Sequence, residues 1–141
     1  MVQVISNSPS QTEEYARKLG AVLKGGETIA YFGGLGMGKT RFTSGLAEGM
    51  GIHTEVSSPT FSLVHEYRGD KTLYHFDMYR ITTFDDLCST GFFDYLDWGG
   101  VLAVEWSENI EAALPENTIR ITITVIDETS RKIEIEGIDD L

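Results

Sequence analysis

The sequence contains little of what marks secreted or membrane-spanning proteins. Among its 141 residues there is one cysteine, Cys88, which has no partner for an intrachain disulfide and belongs to no cluster of metal ligands. We therefore expect Cys88 to be a small buried residue of a cytoplasmic protein. No apolar run approaches the roughly 20 residues of a membrane-crossing helix. The N-terminus also lacks the basic start and apolar stretch of a signal peptide, so we expect no secretory leader.

Cations are scarce as well. The chain has 11 Lys and Arg against 22 Asp and Glu, a formal net charge of −11. Such a surface repels nucleic acid and anionic membranes, because nucleic-acid affinity depends on cations that replace condensed counterions. The only adjacent cations are Arg17-Lys18 and Arg131-Lys132. If a nucleic acid takes part in the biology, we expect a partner subunit to hold it.

One segment carries a specific chemical signal. Residues 33–40, GGLGMGKT, match the phosphate-loop pattern G-x-x-x-x-G-K-[ST] at every fixed position. A β-prone run precedes them at residues 28–32, and apolar residues at helical spacing follow them. In this context backbone N–H groups surround a polyphosphate, Lys39 reaches the β- and γ-phosphates, and Thr40 binds Mg²⁺. We assign nucleotide contacts to Gly33, Leu35, Gly36, Met37, Gly38, Lys39, Thr40 and Arg41.

The rest of the chain predicts an α/β fold in a single domain, residues 1–141. Strands and helices alternate in the first half and strand pairs follow, which predicts a mixed, partly parallel sheet with antiparallel hairpin additions. Ser10 and Glu13 form the pattern of a capping box for a helix that runs to about Lys24. The predicted strands are residues 2–5, 28–32, 61–67, 72–79, 101–104, 119–126 and 131–136.

A phosphate loop needs carboxylates near Mg²⁺, at the carboxyl ends of neighbouring buried strands. Asp77 and Glu105 both follow such strands, and which of them binds the metal directly stays open. With Lys39 they form the predicted catalytic set, and with Thr40 the predicted metal site. Thr60, in a polar loop, can approach the metal or the γ-phosphate when that loop closes.

Three further observations bear on the ligand. No Asn is followed by Lys, so the N-K-x-D signature of guanine recognition is missing and adenine is the expected base. Trp106 is predicted to pack locally or to contact the nucleotide. Arg80 could neutralise charge in the transfer step or form a salt bridge, and the sequence leaves both open.

Four segments together resemble one known family. They are GGLGMGKT (33–40), SSPTFSLVHEY (57–67), LYHFDMYR (73–80) and VEWSENI (104–110). In order and spacing they resemble the bacterial TsaE (YjeE) family, the small ATPase of tRNA threonylcarbamoyladenosine biosynthesis. The resemblance runs from about residue 10 to residue 115.

The resemblance implies a P-loop fold with ATP on the loop, and it places the switch threonine of the family at Thr60. It also implies acidic metal-site residues at Asp77 and Glu105, with Trp106 beside them. Members hydrolyse ATP weakly alone and faster with the partner subunits TsaB and TsaD. Those partners transfer threonylcarbamoyl to the adenosine beside the anticodon, so contact with tRNA is expected only through them.

This chain departs from the family at two positions of the loop. Gly34 stands where the family usually has Asp, so we expect the hydrolysis rate to change more than binding. Arg41 stands where the family often has Thr, and we expect its cation to tighten ATP or ADP binding. Two alternatives are a small-molecule or nucleotide kinase and a binding switch with incidental hydrolysis. A kinase needs a lid and several arginines on the transferred phosphate, and the sequence shows neither.

Overall fold

The computed structural model describes residues 1–33, 38–57 and 63–141. The strands are β1 (Val2–Ser6), β2 (Thr28–Phe32), β3 (Val64–Tyr67), β4 (Leu73–Asp77), β5 (Val101–Glu105), β6 (Ile119–Val125) and β7 (Arg131–Glu136). The helices are α1 (Pro9–Val22), α2 (Lys39–Gly49), α3 (Phe84–Ser89) and α4 (Phe92–Tyr95), with a 3₁₀ helix at Ser107–Ala113. The strands lie within a few residues of their predicted positions, whereas the 3₁₀ helix was not predicted.

The described strands form one mixed sheet in the order β1-β7-β6-β2-β5-β4-β3. Its four central strands, β6, β2, β5 and β4, are mutually parallel. The hairpins β3–β4 and β6–β7 run antiparallel, as does the edge pair β1–β7. Parallel neighbours require long crossover connections, whereas antiparallel ones are joined by short turns. The predicted α/β class with a partly parallel sheet is therefore confirmed.

Residues alternate between two cores along the central strands. On β5, Val101 and Ala103 pack with α1 and α2, whereas Leu102 and Val104 pack with α3, α4 and the 3₁₀ helix. β4 follows the same rule, with Phe76 in the second core. Because neighbouring side chains point to opposite faces, His75, Asp77 and Glu105 share the face covered by α2.

The start of α1 differs from the prediction. Ser8, not Ser10, is the N-cap, and its Oγ accepts a hydrogen bond of 3.1 Å from the N–H of Gln11. Pro9 occupies the first turn, where its missing N–H costs nothing because that donor has no partner within the helix. The capping box of Ser10 and Glu13 is therefore wrong, because proline shifts the helix start. At α3 the N-cap is Thr83, whose hydroxyl accepts from the Asp86 N–H at 3.0 Å.

The expectation for Cys88 is also wrong, because its side chain is exposed. The short helix α3 buries Leu87 against the second core, and the adjacent residue Cys88 consequently faces solvent. None of the helices in the described ranges has the length and apolar character needed to cross a lipid bilayer.

Helices α1 and α2 approach each other through glycines. A Cβ added at Gly45 would lie 2.8 Å from the Glu13 Cα and 2.9 Å from the Ala16 Cβ. A Cβ at Gly49 would lie 3.0 Å from the Ala21 nitrogen. Both glycines therefore let the two helix backbones touch. This contact fixes α2, and with it the first residue of that helix, Lys39.

We expect Gly45→Ala to lower the free energy of unfolding by about 1–3 kcal/mol, because the added methyl group must push α1 away from α2. Urea denaturation measures the change. Ser44→Ala on the same helix is the matched control and should be nearly neutral. A more stable Gly45→Ala protein would mean that helix propensity outweighs the contact, since alanine is otherwise the better helix former.

Candidate nucleotide-binding site

The ends of the phosphate loop have the backbone geometry that glycine allows. Gly33 follows β2 with a φ of 113°, and Gly38 caps α2 with a φ of 95°. Both values lie where a side chain would strain the backbone. The predicted contacts Leu35, Gly36 and Met37 lie outside the described residues. The described ends thus bring the strand and the N-terminus of α2 together around the site.

Lys39 is the first residue of α2 and is only 4% exposed. Its Nζ donates to the Gly33 carbonyl oxygen at 3.3 Å and lies 5.1 Å from the centre of the Trp106 ring. Of the ion pairs within residues 1–33, 38–57 and 63–141, none includes Lys39. Within the part of the chain that the structure describes, the buried ammonium has one carbonyl and one aromatic face as partners, which leaves donors for an anion.

The first turn of α2 is anchored to β2. The Thr43 hydroxyl donates to the Lys39 carbonyl oxygen at 2.8 Å and lies 2.8 Å from the Tyr31 hydroxyl. Tyr31 is fully buried, and this burial raises the pKa of its phenol, so the ring stays neutral. Neither residue was singled out from the sequence, because nothing in their spacing shows that strand and helix meet there.

The two predicted carboxylates lie side by side. Asp77 and Glu105 end β4 and β5 and are paired in the parallel register. The Glu105 carbonyl oxygen accepts from the Met78 N–H at 3.0 Å, so the two strand ends are tied together just beyond the pair. Both candidates therefore lie at the carboxyl-end edge of the sheet, on neighbouring strands.

His75 is a functional candidate that the sequence did not identify. It is fully buried, and its Nε2 lies 2.6 Å from Oε2 of Glu105. The ring does not direct its N–H at that oxygen, so the contact is close without being a well-aligned hydrogen bond. Nδ1 has no hydrogen-bond partner among the described residues. The alternation that placed His75 on the face of Asp77 was the available signal.

Asp77 sits in an unfavourable place for a charge. Burial raises the pKa of its carboxyl above the ordinary value, opposed mainly by the hydrogen bond of 2.9 Å that it accepts from the Tyr79 N–H. The nearby charge of Glu105 raises the pKa further, whereas His75 and Lys39 lower it. Two carboxylates and one lysine thus share a single small volume, where an added cation would favour the ionised form of Asp77.

Trp106 adopts a backbone conformation that is rare for its size. Its φ of 59° is the one positive value at a non-glycine residue in the described ranges. Its ring lies 4.9 Å from that of Tyr79, between centres, and the 3₁₀ helix begins directly after it. Strain of this kind costs about 1–3 kcal/mol and persists at functional sites. Here it turns the chain sharply so that the indole covers Lys39.

The remaining predicted residues are not gathered as closely. Thr40 is exposed beside Lys39 at the start of α2, while Thr60 lies outside the described residues. Arg41 reaches away toward α1, where its Nη1 lies 3.0 Å from Oε1 of Glu13. Arg80 is exposed after β4. The described site therefore centres on Lys39, with the carboxylates and Trp106 around it.

A cleft of about 390 Å³ opens beside the end of the phosphate loop. Three elements meet there: the start of α1, the first turn of α2 and the turn between β6 and β7. Its walls are formed by Asn7, Ser8, Pro9, Thr12, Gly38, Arg41, Glu128, Thr129 and Arg131. The sequence did not indicate this cleft, because its walls come from opposite ends of the chain.

Comparison with known proteins relates most of the chain to one family. The family model for the threonylcarbamoyl adenosine biosynthesis protein TsaE matches residues 6–133. The tRNA threonylcarbamoyladenosine biosynthesis protein TsaE of Treponema pallidum (strain Nichols) is 36% identical over 134 residues, which cover 95% of this chain and 99% of the relative. Its namesake in Bacillus subtilis (strain 168) is 38% identical over 132 residues, covering 93% and 82%.

A solved structure is similar as well. The crystal structure of Bacillus subtilis YdiB superposes with a TM-score of 0.78 at 34% sequence identity. The superposition covers 94% of this chain and 82% of that one. The likeness therefore extends over the sheet and the helices that surround the candidate site.

The raised pKa of Asp77 predicts a pH dependence. A carboxyl whose pKa is raised by folding stabilises the fold below its ordinary value of 3.8, and that stability is lost as the pH rises through the raised value. Asp77→Asn should therefore be more stable than the original protein at pH 7 without ligand, and the difference should shrink toward pH 3.8. Urea denaturation over this range tests it, with Asp97→Asn as an exposed control. Equal stability at pH 7 would contradict the expectation.

Proposed function

Because the chain belongs to the TsaE family of threonylcarbamoyl adenosine biosynthesis proteins, we propose that it binds and hydrolyses ATP in the formation of threonylcarbamoyladenosine in tRNA. The observation that supports this most directly is the buried Lys39 at the N-terminus of α2. Its ammonium lies in the same small volume as the carboxylates that end β4 and β5. A cation, a helix N-terminus and two acidic strand ends are the parts that phosphoryl transfer requires.

The triphosphate is proposed to lie against the first turn of α2. Lys39 binds the β- and γ-phosphates, since among the described ion pairs none includes its ammonium. The free N–H groups of that turn add a partial positive charge. Trp106 covers the lysine and keeps water from it, which strengthens the attraction between ammonium and phosphate.

The donor set fits magnesium. Within the described residues no group of three or more His, Cys, Asp and Glu side chains could hold a metal ion. Mg²⁺ needs no such cage, because it binds through one or two carboxylates together with water and substrate phosphates. We propose Thr40 with Glu105 and Asp77 as its protein ligands. The ion would supply charge neutralisation on the phosphoryl oxygens.

Glu105 is proposed to orient the attacking water as well. Its side chain is 9% exposed and is held by the close contact with His75, so its carboxylate has little freedom. His75 is in this reading a positioning residue that acts through Glu105. Asp77 is less confined and has a raised pKa, so the arrival of a cation favours its ionised form.

The nucleoside is proposed to lie in the cleft beside Gly38. This cleft continues from the end of the phosphate loop and contains polar side chains from α1 and from the β6–β7 turn. Arg41 and Arg131 line it and can balance the charge of the neighbouring phosphates. Adenine is the proposed base, because the sequence lacks the signature of guanine recognition.

TsaB and TsaD are the proposed partners, and tRNA is proposed to be held by them. The net charge of −11 opposes direct contact with a polyanion. A subunit that cleaves ATP and resets its partners agrees with this charge, because it has no need to touch the nucleic acid.

We expect Lys39→Met to weaken ATP binding by about tenfold to a hundredfold, the loss for a hydrogen bond to a charged group. Methionine keeps an apolar stem beneath Trp106, so the fold should survive. Isothermal titration with ATP and Mg²⁺ measures the affinity, and Lys24→Met, at an exposed position, is the control. Unchanged affinity in the Lys39 variant would refute the proposed role of the loop.

The function itself is tested by ATP hydrolysis measured alone and then with TsaB, TsaD and tRNA. Release of free phosphate should rise with the partners and should fall by about a hundredfold in Glu105→Gln, as for loss of a general base. Glu116→Gln serves as the exposed control. If tRNA modification by Glu105→Gln continues over many cycles without phosphate release, nucleotide binding is sufficient and hydrolysis is incidental. Phosphate transferred to an added acceptor would indicate a kinase.

A further inference from the structure

One long segment of the chain contains no cationic side chain. Residues 81–119 include no Lys, Arg or His. The same residues include eight carboxylates: Asp85, Asp86, Asp94, Asp97, Glu105, Glu108, Glu111 and Glu116. Of these only Glu105 belongs to the candidate nucleotide site. Five of the other seven lie on α3, α4 and the 3₁₀ helix, which cover the second core, and the nucleotide site does not explain their presence there.

A cavity opens among these elements. It has a volume of about 690 Å³ and runs between α3 and the 3₁₀ helix. We call it the α3 groove. Its walls are Thr82, Thr83, Phe84, Leu87, Phe93, Glu108, Asn109, Ile110, Glu111, Ala112 and Ala113. None of these residues lines the cleft beside the phosphate loop.

The α3 groove exposes aromatic surface to solvent. Phe84 is 68% exposed and Phe93 is 37% exposed, with their ring centres 5.9 Å apart. Leu87 and Ile110 form a buried apolar floor. Two adjacent phenylalanines over an apolar floor leave a surface whose burial would release free energy, about 25 cal/mol for each Å² covered.

Charge surrounds this apolar surface. Glu108 and Glu111 stand on the wall formed by the 3₁₀ helix, and Asp85 and Asp86 stand on α3. Glu111 is paired with Arg120, whose Nη1 lies 3.0 Å from its Oε1, whereas no ion pair among the described residues includes Asp85, Asp86 or Glu108. An apolar centre with such an acidic rim matches a segment that is apolar in the middle and cationic at its edges.

We propose that the α3 groove docks a segment of a partner protein, with apolar side chains between Phe84 and Phe93 and with Lys or Arg against the rim. The docking proposal rests on the proposed function in one respect: the TsaB–TsaD pair, proposed there as the partner, is the protein used in the test. A nucleic acid would be repelled by the rim, and the groove contains no cation to hold a phosphate.

The α3 groove is joined to the candidate site through Asn109. Its Nδ2 donates to the carbonyl oxygens of Met78 at 2.9 Å and of Tyr79 at 3.2 Å, directly after Asp77. Its backbone N–H donates to the Trp106 carbonyl oxygen at 3.0 Å. A segment docked against this wall would therefore act, through Asn109, on the residues that directly follow Asp77 and Glu105. Docking can in this way change hydrolysis without touching the nucleotide.

The test uses the full chain and the TsaB–TsaD pair. Phe84→Ala should weaken binding of the pair at least about tenfold, the loss typical of a central aromatic contact, and should reduce its stimulation of ATP hydrolysis equally. Hydrolysis by the variant alone should be unchanged, because Phe84 is exposed and lines the α3 groove, outside the candidate site. Trp98→Ala, which removes an aromatic side chain 57% exposed outside the groove, is the matched control.

The rim is tested separately. Glu108→Lys should weaken the same binding and reduce its dependence on salt concentration, whereas Glu116→Lys, outside the groove, should do so much less. Equal binding by the original chain, Phe84→Ala and Glu108→Lys would overturn the proposal for the groove while leaving the proposed function intact. If the original chain does not bind the pair at all, the partner assignment fails instead.

The single cysteine allows a cross-linking test that does not depend on weakening the binding of the partner. Cys88 is exposed on α3, so a benzophenone maleimide attached there before mixing should cross-link to the docked partner on illumination. The control attaches the same reagent to Glu14→Cys on α1 in a Cys88→Ser background. Cross-linking from α1 but not from α3 would place the partner on the other face and would refute the groove.

Discussion

The site depends on one buried cation. Lys39 is almost fully enclosed, and its partners among the described residues are a carbonyl oxygen and the face of Trp106. A charge in that position is costly unless an anion completes its coordination. The rest of the molecule holds the ammonium in place: the glycine contact between α1 and α2 fixes the helix, and Thr43 fixes its first turn. A bound anion would therefore offset the cost of burying the ammonium.

The two carboxylates are also held in an unfavourable electrostatic environment. Asp77 and Glu105 end adjacent strands, so the sheet forces two like charges together, and both the burial of Asp77 and the charge of Glu105 oppose its ionisation. His75 lies against Glu105, with its Nε2 2.6 Å from Oε2 of that carboxylate. The backbone of Trp106 is strained as well, because the chain must turn sharply to bring the indole over Lys39. A divalent cation with a triphosphate would satisfy the lysine and both acids at once.

The two faces of the sheet divide the proposed tasks. The face covered by α1 and α2 contains the candidate nucleotide site, and the face covered by α3, α4 and the 3₁₀ helix contains the exposed aromatic groove. The strands β4 and β5 contribute alternate residues to both. Their carboxyl ends are therefore the natural place for one face to influence the other, and Asn109 bridges them there.

Much of this could be predicted from the sequence, because it depends on local pattern. The loop residues 33–40, the buried strand before Glu105 and the alternation that set His75 beside Asp77 are all set by neighbours along the chain. The features that could not be predicted from the sequence depend on contacts between residues that are far apart in the chain. The contact between His75 and Glu105, the glycines between the helices, the cleft that joins Asn7 to Arg131 and the groove beside Phe84 exist only because the sheet order brings together segments that are far apart in the chain.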